Sequence, residues 1–343
     1  GHTVLVQSDA GAGVGLSDAA YEQVAAKVVT DRDQLFAEAR LIVKVKEPQL
    51  EECALLKADQ TIFTYLHLAA FPEITDALIN AGTCCIAYET VTDSDGKLQL
   101  LAPMSEVAGR MSIQAAAHFL EKPHGGSGIL LAGVPGVAPG KVLILGGGVV
   151  GRNAAQMAVG LGADTVIIDR TAAKMRELEG FFGNRARTLY SSEEEIERQL
   201  ATANVVVGAV LVAGAAAPKL VTREMLKLMQ PGSVIVDVAI DQGGCFETSR
   251  ATTHAEPVYE VDGILHYCVA NMPGAVPRTS TFALTSATLP FVVALAEQGP
   301  EAAMKADINL RNGLNVYKGQ VTHEGVADAL GKALVSSNEA LTV

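Results

Sequence analysis

The chain is poor in aromatic residues, has few cysteines, and carries no excess of positive charge. Phe, Tyr and Trp together make 5% of 343 residues, so the core has to be built from aliphatic side chains. The five cysteines are Cys53, Cys84, Cys85, Cys245 and Cys268, an odd number with no C-x-x-C pair. That argues against a disulfide framework or a thiolate zinc site and leaves buried, reduced thiols; no metal site is assigned. Lys and Arg number 26 against 38 Asp and Glu, a net charge of −12, which argues against nucleic-acid binding. No apolar run is expected to reach membrane-spanning length, and no signal peptide is expected ahead of the first strand. The expectation is a cytoplasmic chain with neither a membrane nor a nucleic acid as partner.

What is abundant is aliphatic and small: 49% of the residues are hydrophobic and 33 are glycine. Short apolar runs alternate with helical patterns, which implies parallel sheets with helices on both faces. Expected strands are Val4–Gln7, Leu41–Lys46, Thr61–Tyr65, Cys84–Tyr88, Lys141–Leu145, Thr165–Asp169, Val234–Val238 and Ile264–Tyr267. Helices are expected over 71–81, closing on Gly82, over 105–121, and from Val149 to Leu161. From Ser280 the pattern reads as helical to the end.

One stretch carries a specific signal. KVLILGGGVVGRNAA places G-x-G-x-x-G at Gly146, Gly148 and Gly151, after an apolar strand and opening a helix at Val149 and Val150. A second strand, TVIID, ends in Asp169, 23 residues after Gly146. Gly146 permits a tight turn, Gly148 lets backbone approach a pyrophosphate, and Gly151 lets the helix pack close. Helix amides would hold the phosphate, and Asp169 would bind ribose hydroxyls and disfavour a 2′-phosphate, so NAD is expected over NADP. A purely structural glycine turn is the alternative. GAGVGLSD at 11–18 has Leu16 where the third glycine belongs and reads as a shaped surface loop.

In open α/β sheets, ligands bind beyond the carboxyl ends of strands. LIVKVKEP delivers Lys46 there, with Lys44 one repeat deeper on the same face. TYLHLA delivers His67, strand 84–88 delivers Glu89, DVAIDQGG delivers Asp241, and VANMPG delivers Asn271. A lysine suits a carboxylate or carbonyl, an imidazole suits proton transfer, and a carboxylate suits a water. Separate structural roles for these residues remain the alternative from spacing alone.

Beyond these features, VKVKEP, FTYLHLA, AYETV, LAPMSEVAGRMS, GVPGV, LGGGVVG, DVAIDQGG and NMPGAVP resemble the NAD-dependent alanine dehydrogenases over nearly the whole chain. The related transhydrogenase α subunits share the architecture. The resemblance implies two Rossmann-like doubly wound domains joined by long bridging helices: a substrate domain from residues 1–99 and 281–343, and an NAD domain from 100–280. It implies reversible conversion of L-alanine, NAD and water to pyruvate, ammonium and NADH. Carried onto this sequence, Lys46 contacts substrate, His67 is the general acid/base, and Asp241 assists water. Met104 and Ser105 lie by the nicotinamide, Asn271 lies near nicotinamide and substrate, and Asp169 and Lys174 serve the adenosine side. The family implies a homo-oligomer, usually a hexamer. It also places a strand and helix, with a carboxylate-binding arginine, ahead of the segment GHTVLVQ, and this unit is expected to be missing here. A transhydrogenase-like hydride-transfer subunit and an NAD-binding protein without alanine turnover are the competing readings.

Overall fold

Val- and Ile-rich runs bounded by Gly, Pro or polar residues form the strands, because branched side chains pack well on a pleated, covered surface. The computed structural model describes residues 1–210 and 217–342. These residues divide into two compact units, 104–276 and 1–103 with 277–343.

The 104–276 unit holds a seven-stranded sheet in the order Val258–Val261, Ile264–Tyr267, Val234–Asp237, Val205–Gly208, Lys141–Leu145, Asp164–Asp169, Arg187–Tyr190. Every neighbouring pair is parallel except the first, which is antiparallel. The central strands are buried on both faces, which explains their continuous apolar sequences. From Lys141–Leu145 the chain winds outward to one edge and then returns to the other side, so the order reverses beside Leu145. Helix Val149–Gly160 lies close to the sheet through buried Gly151, Ala154, Ala155 and Ala158.

In the other unit the sheet order is Gln320–Val321, Leu314–Tyr317, Cys84–Ala87, Thr61–Thr64, Leu41–Val43. The last three strands are mutually parallel. The first two are antiparallel additions that correct the expectation of helices to the end of the chain. They turn at Lys318 and Gly319, both at positive φ (48° and 80°), a tight hairpin that a strand of four residues among helices conceals in sequence. The seven-stranded sheet is thus parallel but for one edge pair, whereas the five-stranded sheet has two parallel and two antiparallel pairings. Leu5–Gln7 and Lys27–Val29 form a separate two-stranded parallel sheet. Helix Pro72–Ala81 ends on Gly82 in the left-handed region. The 11–18 segment folds as a 3-10 turn, Ala12–Val14, followed by Ser17 capping helix Asp18–Gln23.

Two further expectations change. The Leu41–Lys46 strand ends at Val43, although its pairing continues irregularly as the Lys44 N–H donates to the Phe63 oxygen at 3.3 Å. Helix Pro277–Gln298 is, by length and composition, long and apolar enough to cross a membrane. Its polar residues are largely hydroxyls that turn back on the helix, Ser286 to Phe282 O and Thr288 to Leu284 O, so they interrupt its apolar character weakly. All five cysteines are buried and unpaired.

Candidate active site

The glycine loop leaves the sheet where the strand order reverses, the place where such sheets bind ligands. Gly146 has φ 101°, a conformation that a side chain would strain. A Cβ at Gly151 would stand 1.8 Å from the Gly146 carbonyl oxygen, and one at Gly147 would stand 2.6 Å from Leu178 Cδ1. Gly148 differs: its φ is −67° and nothing lies within 4 Å of a Cβ position. The outer glycines thus shape the loop, while Gly148 leaves open space before Val149 and Val150. The helix beginning there has no side-chain cap. Open space at an uncapped, electropositive helix start suits a phosphate.

Asp169 closes the next strand and is pinned to this loop. Its Oδ2 accepts the Gly147 N–H at 2.8 Å and its Oδ1 accepts the Thr171 N–H at 2.8 Å. Lys174 lies alongside, its Cγ 3.3 Å from a Gly147 Cβ position and its Nζ 2.6 Å from Glu177. These residues fit a dinucleotide: room at the helix start for the pyrophosphate, and a carboxylate at the strand end for a ribose.

Asp241 and Asn271 each follow, by four residues, the ends of Val234–Asp237 and Ile264–Tyr267, which are neighbouring parallel strands. Both are exposed. Asn271 adopts φ 56°, and His254 Nε2 lies 3.2 Å from its carbonyl oxygen. The loop carrying Asp241 is organised by a residue that spacing did not single out, the fully buried Asp237. Its carboxylate accepts the N–H groups of Ala239 (3.2 Å), Cys245 (2.8 Å) and Phe246 (3.4 Å) and the Ser249 hydroxyl (2.5 Å). Burial pushes its pKa up, and those hydrogen bonds oppose the shift. The available signal was an acidic residue ending an otherwise apolar strand, VIVD. Met104 and Ser105 sit half-buried in the first turn of helix Ala102–Phe119.

In the other unit, Lys46, His67 and Glu89 follow three adjacent parallel strands. Lys46 is exposed, and its carbonyl accepts the Thr64 hydroxyl at 2.9 Å. Lys44 is instead tied at 2.5 Å to Glu52, which makes it structural. His67 adopts φ 49°, its side chain is 39% exposed, and its ring lies parallel to Tyr65 at 5.8 Å. Glu89 accepts the backbone N–H groups of Leu66 and His67, and its Oε1 lies 3.9 Å from His67 Nδ1. Burial raises the Tyr65 phenol, helped by the Glu89 charge, and that hydroxyl donates to the Leu100 oxygen at 2.7 Å. His323 enters the same neighbourhood unforeseen, from the region read as helical. Its Nδ1 is buried without a hydrogen-bond partner among the described residues, and burial depresses its pKa while Glu89 opposes. His266 is fully buried against Tyr259 and bonded to Thr248, a structural placement.

Residues 1–108 match the model of the alanine dehydrogenase/PNT N-terminal domain, and residues 112–324 match that of the C-terminal domain. The chain is 57% identical over 337 residues to alanine dehydrogenase from Halomonas elongata, covering 98% of this chain and 91% of that protein. It is 54% identical over 343 residues to alanine dehydrogenase from Bacillus subtilis, covering 99% and 90%. Among solved structures it resembles an L-alanine dehydrogenase, with a TM-score of 0.91 and 51% identity over 96% of this chain and 91% of that one. A transhydrogenase from Sinorhizobium meliloti gives 0.79 and 25% identity over 94% and 91%.

Proposed function

The chain belongs to the alanine dehydrogenase/PNT family, and from that premise we propose the roles its residues play in the reversible NAD-dependent oxidative deamination of L-alanine to pyruvate and ammonium. The observation that carries this activity is the identity of 54–57%, over nearly the whole chain, to proteins of that name.

NAD, when bound, supplies the hydride acceptor. The 104–276 unit is assigned the cofactor: Gly146, Gly148 and Gly151, with Val149 and Val150, receive the pyrophosphate at the helix start. Asp169 and Lys174 face the adenosine side, and Met104, Ser105 and Asn271 the nicotinamide side. Asp241 orients and activates the water that adds to the substrate carbon. In the other unit, Lys46 pairs with the substrate carboxylate or polarises its carbonyl. His67 takes the proton from the substrate ammonium or from the adding water, and returns it in the reverse direction. Glu89 fixes the His67 backbone, and its Oε1 lies 3.9 Å from His67 Nδ1. Residues 1–99 with 281–343 are the proposed substrate domain, and 100–280 the proposed NAD domain.

The assembly is proposed to be a cytoplasmic homo-oligomer, a hexamer, built through helix Pro277–Gln298. Phe282, Leu289 and Val293 stand exposed along one side of it. This accounts for so apolar a helix without a membrane.

The test is an initial-rate assay of NADH formation with L-alanine at alkaline pH, with His67→Ala beside the parent. Turnover in the parent, lost in the variant with NAD affinity intact, is expected. Hydride exchange independent of alanine would favour a transhydrogenase-like subunit, and NAD binding without turnover a silent NAD-binding protein.

A further inference from the structure

We propose that His118, Glu121 and His124 form a surface site for a divalent first-row transition-metal ion. Helix Ala102–Phe119 ends here, and a 3-10 turn, Lys122–His124, follows directly. One ligand atom from each of the three side chains lies within 4.8 Å of the other two. Glu121 Oε2 is 3.7 Å from His124 Nε2, and the two imidazole centroids are 3.8 Å apart at 38°.

The backbone holds this arrangement. The Glu121 carbonyl accepts the N–H groups of His124 at 3.0 Å and of Gly126 at 3.1 Å, so the turn doubles back on the helix end. Gly125 makes the reversal at φ 90°. Phe119 packs edge-on against both rings, at 5.0 Å from His118 and 6.0 Å from His124. It is itself in contact with Tyr267 of the sheet at 5.7 Å. The stem of Lys122, the charged residue between the ligands, lies along Gly128.

Two imidazoles and a carboxylate suit Zn2+, Ni2+, Co2+ or Cu2+, whereas Mg2+ and Ca2+ prefer all-oxygen sets. Ligands about 2.1 Å from a common ion lie roughly 3–3.5 Å apart, so side-chain rotation alone closes the cluster. All three residues are exposed, which leaves the remaining coordination positions to water and makes the ion exchangeable. A bound ion would tie the last helical turn to the loop after it. The sequence carries the pattern as H-x-x-E-x-x-H at 118–124, and no role in turnover is assigned to it.

Calorimetric titration of the full chain with Zn2+ and with Ni2+ tests the site. One saturable site per chain is expected, weakened at least tenfold in His118→Gln and in Glu121→Gln and absent in the His118→Gln/His124→Gln pair. Zn2+ should raise the melting temperature of the parent and leave that of the pair unchanged. His2→Gln should bind as the parent does. The proposal is overturned if the parent shows no saturable site, if the paired variant binds unchanged, or if His2→Gln abolishes binding. Glu121→Gln keeps both imidazoles and an uncharged side chain of the same size, so it decides the matter should the paired variant fail to fold.

Discussion

The Glu89 carboxylate accepts the backbone N–H of His67 at 2.5 Å and so holds that residue at φ 49°, a conformation a histidine seldom adopts. A carboxylate on one strand end thereby sets the aim of an imidazole on the next. Glu89→Ala removes this restraint. A displacement of about 1 Å at a reacting group costs about 100-fold in rate. A fall of that order in kcat/KM for alanine, with NAD affinity unchanged, is expected from steady-state kinetics and cofactor titration. Parent-like kinetics would refute the role.

The loop glycines should separate two kinds of failure. Gly148→Ala meets no atom, so melting temperature should hold while the KM for NAD rises at least tenfold. Gly151→Ala drives a methyl to 1.8 Å from the Gly146 oxygen, so both stability and NAD binding should fall. Thermal melts with and without NAD distinguish them, and unimpaired NAD binding in Gly148→Ala would contradict the phosphate assignment.

Asp237→Ala leaves three buried N–H groups without their acceptor. Unsatisfied buried donors cost about 1–3 kcal/mol each, so a loss of about 3 kcal/mol or more is expected from urea unfolding. Asp237→Asn, which keeps an acceptor oxygen, should lose less. If both variants match the parent, the carboxylate does not organise the Asp241 loop.

Acid should weaken the fold through two histidines. Burial lowers the folded-state pKa of His323 and His266 below the ordinary value of about 6.5. Their contribution is therefore present above that pH and is lost as pH falls through the depressed folded values. The urea midpoint should decline from pH 7.5 to 5.5, and less steeply in His323→Asn. An equal slope in the variant would remove His323 from this account.

Leu289 is 59% exposed on helix Pro277–Gln298, on the side shared with Phe282 and Val293. Leu289→Glu puts a charge where an apolar contact is proposed. Sedimentation should show a multimeric parent and a smaller assembly in the variant, with far-ultraviolet circular dichroism unchanged. A monomeric parent would dispose of the interface.

The sequence by itself determined the glycine loop, its strand and helix, Asp169 at the end of the next strand, and the strands that deliver Lys46, His67, Asp241 and Asn271. These follow from short-range rules: which residues tolerate positive φ, which runs stay apolar, and where a strand must stop. Tertiary structure alone decided the rest. Leu314–Tyr317 became a strand because Cys84–Ala87 offered it an edge more than 200 residues away in sequence. Glu89 became the clamp on His67, and Asp237 the hub of its loop, because each accepts hydrogen bonds from backbone that folding brings to it. Position along the strand already set Lys46 apart from Lys44; the fold added the partner, Glu52, that ties Lys44 down. Such partners are set by sheet order and loop closure, which no local pattern encodes.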